Sequence, residues 1–340
     1  MTRARMIMVA VALVGLLALA YGLLVAPRAV AHGWLSAFLL MSTAPIGAIA
    51  WLLVHRLTGG RWGDELAPQL KALAGLTPLI AVAFAPLALM LRYLYPWAAD
   101  PTTLPHGVAY YLNQPLFVIR SALALAFWWF ASARLLRDDV RPRTAAIGLL
   151  LHGVAITMVS YDWILSLQPR YGSTAFGANL AFEQMLTSLS VAAIMARRRG
   201  GPAVPGLGGL MLATLLGVFY LQIISYVVDW YGNLPDKAQF YADRDGAWSI
   251  VLLVALVVGA LAPCGLLLFK RVRERADLLA AAGALCIFGV TLDLLWFVAP
   301  KGGAWWMGAF GVALVALVCA AAALTGYRYG TAHAEARHVG

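Results

Sequence analysis

The stretch GAWSIVLLVALVVGALAPCGLLLFK, residues 246–270, carries no charged side chain until Lys270 at its end. An α-helix needs about twenty apolar residues to cross a hydrocarbon core about 30 Å thick. A membrane β-strand would alternate polar and apolar residues, and this stretch does not. It reads as one membrane-spanning helix, and the fold follows from how often such a run recurs.

Working outward, comparable runs fill the chain. The predicted spans are 6–26, 32–55, 73–95, 115–134, 145–167, 174–197, 208–230, 246–270, 276–299 and 304–325. Of the 340 residues, 62% are hydrophobic and 12% charged, against about 25% charged in soluble domains. No loop is long enough for a soluble catalytic domain. The expected fold is an all-α polytopic membrane protein of about ten helices. Arg3, Arg5 and the apolar run after them read as a first span rather than a cleaved leader.

The net charge of +10 would suggest nucleic acid in a soluble chain. Here it reads as a topology signal, because cytoplasmic loops carry the excess of Lys and Arg. One side holds Arg3, Arg5, Arg56, Arg61, Lys71, Arg134, Arg137, Arg141, Arg143, Arg197, Arg198, Arg199, Lys270, Arg271, Arg273, Arg275, Arg328 and Arg337. The other holds Arg28, Arg170, Lys237, Arg244 and Lys301. This predicts cytoplasmic termini in a bacterial inner membrane.

A faint repeat is present. HRLTGG (55–60) ends the second span and ARRRGG (196–201) the sixth; YPW (95–97) closes the third and VDW (228–230) the seventh. The copies lie four spans apart, so both halves have one orientation, related by an axis along the membrane normal. The expected division is a four-helix bundle in 1–144, a second in 145–275, and a helix pair with a tail in 276–340.

Cys264, Cys286 and Cys319 fall inside apolar runs without a CxxC motif, so they read as small buried hydrophobes. His32, His55, His106 and His152 offer no pair at matching depth, which argues against a bis-histidine haem. The GG pairs lack the Lys-Ser/Thr of a phosphate-binding loop.

Ionisable groups within spans are costly and mark function by default. Glu183 lies near the middle of the sixth span, with Asn179 and Thr187 one turn away on the same face. A carboxyl group there can carry a proton. His152 is a possible relay in the fifth span, with Asp162 about 15 Å further along it. Asp229 shares a face of the seventh span with Gln222, Ser225 and Tyr226, and Asp293 lies in the ninth. Arg120 and Arg92, near span ends, read as structural ion-pair partners. The competing reading for the polar residues is hydrogen bonding between helices.

Three stretches resemble a known family: HGWLSAFLLMSTAPIGAIAWLLVHRLTGGRWG (32–63), YYLNQPLFVIRSALALAFWW (110–129) and YDWILSLQPRYGSTAFG (161–177). They resemble the ActF-type membrane subunit of alternative complex III, a quinol:cytochrome c oxidoreductase, within the NrfD/PsrC-like integral membrane proteins. Asp162-Trp163 with Ser166-Leu167 and Pro169 is the most specific piece, and Leu57–Gly63 the next. The chain departs from the pattern at Arg170, Tyr171 and Gly172.

The resemblance implies two four-helix bundles plus a pair. It also implies a sister NrfD-like subunit, multihaem cytochrome c and iron–sulfur partners, and proton half-channels through this chain at Asp162 and Glu183, with His152 as relay. Quinol, haem c and iron–sulfur chemistry belong to the partners, so no redox centre or metal is expected in this subunit. The alternatives are a stand-alone secondary transporter and a passive membrane anchor. Pro45, Pro78, Pro86 and Pro263 form no matching pair of broken helices, which argues against the transporter.

Overall fold

A computed structural model describes residues 20–303, apart from 105–106, 199–203 and 205, together with Leu17 and Trp306. The predicted spans 6–26 (beyond its last residues) and 304–325 (but for Trp306), with the C-terminal tail, His106 and Cys319, lie outside the described residues.

Every regular element among the described residues is helical. The principal helices are α1 (Pro27–Thr58), α2 (Arg61–Ala74), α3 (Thr77–Leu89), α4 (Gln114–Leu136) and α5 (Pro142–Trp163). They are followed by α6 (Phe176–Arg198), α7 (Leu207–Gly232), α8 (Pro235–Ala242), α9 (Ala247–Leu268) and α10 (Ala276–Val298). Helices satisfy their own backbone groups, which a bilayer interior demands.

Local sequence sets many of the ends. Proline opens α1, α5 and α8, where its missing N–H costs nothing. Asn113 caps α4 by accepting from the Leu116 N–H at 3.0 Å. Asn233 ends α7 in the left-handed region.

Among the described residues, seven helices are long and apolar enough to cross a membrane: α1, α2 with α3, α4, α5 with the following turn, α7, α9, and α10 with its last turn. The chain is therefore a multi-pass membrane protein. α6 has 23 residues but is more polar and is not one of the seven. The expected third span, 73–95, is displaced: helix starts at Arg61 and breaks at Met90. Arg92 thus sits beyond the span, in the short turn Leu91–Leu94.

One continuous apolar core runs from Ala31 to Val298. α6 lies at its centre, packed against α1, α2, α5, α7 and α10. Gly47 lets α1 approach α6 closely, since a Cβ there would lie 1.9 Å from the Gln184 carbonyl oxygen. Nearby, the Trp51 indole donates to the Met185 carbonyl at 3.0 Å. α9 contains a π-helical stretch, Ala255–Leu261. It brings Gly259 against Gly289 of α10, where a Cβ on Gly259 would lie 2.1 Å from the opposite Cα.

Candidate functional site: a carboxyl pair beside a lateral cleft

Glu183 and Asp293 face each other across the α6–α10 contact. Both are buried, at 1% and 5% exposure, and their side chains are in hydrogen-bonding contact. Asn179 Nδ2 donates to Glu183 Oε1 at 2.7 Å, and Gln222 of α7 reaches the same oxygen at 3.4 Å. Gln222 also hydrogen-bonds Asp293. The groups acting on the Glu183 carboxyl are these three, and none is basic. Two carboxylates in contact without a cation cannot both be ionised at modest cost, so the pair holds a proton.

The stripe predicted on α6 therefore exists, with one correction. Thr187 does not meet the Glu183 carboxyl; its hydroxyl donates to the Glu183 backbone carbonyl at 2.8 Å, a common habit of threonine within helices. Asp293, on a helix 110 positions away in sequence, takes the place expected for Thr187.

A cleft of about 280 Å³ lies beside the pair, lined by residues of α6, α7, α8, α9 and α10. Its walls are mostly apolar, with Leu186, Leu215, Val218 and Val290 among them. Phe176, Tyr226, Tyr241, Trp296 and Phe297 add aromatic faces. α7 has no buried residue after Val218, and Ala247–Val254 of α9 has none either. Among the described residues, these two uncovered halves flank the cleft and leave it open on that side.

Asp229 is tied to the end of the molecule that carries α8. It accepts from the Tyr171 hydroxyl at 2.9 Å and from the Tyr241 hydroxyl at 3.2 Å, and pairs with Lys237 at 3.0 Å. Burial pushes the Tyr171 and Tyr241 phenols far up, so both stay protonated as donors. Because Tyr241 also lines the cleft, it links Asp229 to the region of the acid pair.

Asp162 and His152 belong to other networks. Asp162, with no exposed surface, accepts two hydrogen bonds from Arg120, each at 2.8 Å. Arg120 lies over the Tyr111 ring at 3.8 Å, and the Tyr111 hydroxyl also bonds Asp162. Burial, then the Asp162 charge, pushes that phenol up to about 12. His152 Nδ1 accepts from the Trp128 indole at 3.1 Å. Neither acid is among its hydrogen-bond partners. Arg92 is exposed and forms no ion pair among the described residues.

Arg244, which the sequence offered only as a topology charge, is 2% exposed. It donates to the Trp296, Phe297 and Phe240 carbonyls and to Gln168, at 2.9–3.1 Å. It stacks on Phe240 at 3.7 Å. Its guanidinium thus caps the C-terminal end of α10, where a cation complements the helix dipole. Burial lowers it to about 10, so it stays charged at neutral pH. Its position seven residues beyond Lys237 gave no sequence signal of burial.

No protein-family model matches this sequence, and no curated protein matches it.

Proposed function

We propose that this chain is a proton-conducting membrane subunit of a quinol-oxidising respiratory complex of the alternative complex III kind. The observation that carries the proton-conducting part is the Glu183–Asp293 pair: two carboxyls in contact deep between α6 and α10, with no basic neighbour acting on Glu183. Such a pair can take up a proton from one side and release it to the other, because its charge is borne by no fixed counter-ion. Asn179 and Gln222 hold the carboxyls without neutralising them. Asp229, reached through Tyr241, is the exit or entry group at the α8 end. Asp162 serves as an ion-pair anchor with Arg120, and His152 is held by Trp128.

The respiratory part of the reading rests on the resemblance of residues 32–63, 110–129 and 161–177. With it come ten helices in two four-helix bundles plus a pair, cytoplasmic termini, and a bacterial inner membrane. The partners are a sister NrfD-like subunit, a multihaem cytochrome c and an iron–sulfur subunit. Quinol and the redox centres belong to those partners.

The test is the Glu183→Gln variant, which keeps shape and hydrogen bonding but cannot titrate. The complex purified through this chain should carry haem from its partners. In vesicles, the variant complex should transfer electrons while moving fewer protons per electron. Wild-type pumping by the variant makes the acid a packing group. A chain that purifies without haem-bearing partners removes the respiratory reading.

A second reading, a stand-alone transporter, draws on the cleft that opens sideways beside the pair. Purification alone, with proton-coupled solute uptake in vesicles, would favour it.

A further inference from the structure

Six buried side-chain polar atoms lack a hydrogen-bond partner among the described residues, and three belong to residues lining this one cleft. Two of the three are acceptors, Asn179 Oδ1 and Asp293 Oδ2, on side chains that are each only 5% exposed. A buried acceptor without a donor loses its hydration with no return, and two beside one apolar cleft call for a ligand that donates. The third, Trp296 Nε1, is a donor and cannot bind a cation.

Charge narrows the ligand further. Among the described residues, no Lys, Arg or His lines the cleft. Its titratable groups are Glu183 from α6, Asp293 and Cys286 from α10, Tyr226 from α7 and Tyr241 from α8; α9 supplies none. No titratable group of α1, α2 or α5, which also pack on α6, is among those acting on Glu183. A negative charge on the pair is therefore uncompensated unless a cation enters. Phe176, Tyr226, Tyr241, Trp296 and Phe297 supply the aromatic faces that attract organic cations.

We propose that the cleft binds a lipid-soluble organic cation. Its apolar body lies between α7 and α9, and its protonated nitrogen donates to Asp293 Oδ2 and Asn179 Oδ1. The unliganded Glu183–Asp293 pair carries two protons; the cation replaces one of them, which leaves to water, while the other stays shared between the two carboxyls. No bond other than the carboxyl O–H breaks, and charge balances, one positive charge in and one out. The inference shares the acid pair with the proton-conducting reading but does not depend on electron-transfer partners. Failure of cation binding and failure of proton pumping are separate results.

The experiment uses the full chain in phosphatidylcholine nanodiscs at mildly alkaline pH, with 9-aminoacridine as the probe. This planar aromatic amine is protonated there, whereas acridine, nearly the same shape, is uncharged. Saturable quenching of tryptophan fluorescence by 9-aminoacridine is expected, with about one proton released per amine bound in weak buffer. Acridine should bind at least about tenfold more weakly. Affinity for the amine should fall as pH falls, because protons compete. Asp293→Asn and Asn179→Val should each weaken amine binding while leaving acridine binding unchanged.

Equal binding of acridine and 9-aminoacridine would overturn the proposal, leaving only an apolar cleft. Absence of saturable binding would overturn it too. Should either variant fail to fold, the amine-to-acridine ratio and the proton release of the unaltered protein still decide.

Discussion

Arg120 of α4 and Asp162 of α5 meet edge to edge, Nε on Oδ2 and an Nη on Oδ1, both at 2.8 Å. The carboxylate is wholly buried and the arginine side chain is 13% exposed. The fork geometry satisfies both oxygens, and Tyr111 stacks beneath the guanidinium. This explains why an apolar chain keeps an acid at the end of a membrane helix: the charge is neutralised by a partner from the neighbouring helix.

Removing one partner strands the other in a dry site. Asp162→Ala should destabilise the protein by about 3–5 kcal/mol, the usual cost of orphaning a buried charge. The double variant Arg120→Met with Asp162→Leu should recover much of that loss. Thermal unfolding in detergent, followed by circular dichroism, checks both. A single variant as stable as the parent refutes the anchoring role.

At the opposite end of the molecule, Asp138 bridges Lys71, at 2.6 Å, and Arg56. The hydrogen bond from Lys71, then the nearby charges, hold its carboxyl below the usual carboxylate range. A depressed native value means the stabilisation is full above the unfolded value, about 4, and is lost as pH falls through the native one. Because Asp138 is exposed, the effect should stay below about 1 kcal/mol. Asp138 has φ +56°, which asparagine tolerates. Asp138→Asn should therefore be slightly less stable than the parent at pH 7, with the gap narrowing as pH falls below about 4 in a pH series of melting curves.

Arg244 fastens α8 and the 243–246 turn to the end of α10. Arg244→Lys cannot reach two adjacent carbonyls and Gln168 together, since it lacks the planar fork. We expect faster amide exchange in 235–246 and 294–298 for Arg244→Lys, and faster still for Arg244→Ala. Exchange unchanged in both segments would show that Arg244 does not hold the turn.

The α9–α10 crossing depends on Gly259 and Gly289. A Cβ on Gly289 would lie 2.6 Å from Gly259 Cα, and both obstacles are backbone. Neither helix can yield without separating. Gly289→Ala should cost about 1–3 kcal/mol, read as a lower melting temperature, while Gly265→Ala on α9, where a Cβ meets open space, should cost little.

The membrane class and most helix positions were legible in the sequence, because hydropathy and capping are local. The run 246–270 needed no knowledge of distant contacts, although α1 and α5 begin a few residues before the predicted spans and α8 was not predicted. The polar face of α6 was legible too, since residues four apart share a helix face whatever surrounds them. What lies across from that face was not. Rotation of one helix against another is set by packing, so only the tertiary structure brings Asp293 to Glu183 and Asp162 to Arg120. The same holds for Arg244, whose burial depends on carbonyls 52 and 53 positions away. α6 is the clearest case of the division. Protein surrounds it on many sides, so it needs no uniformly apolar surface, and its polar residues, dilute in the sequence, converge only when five neighbouring helices close around them.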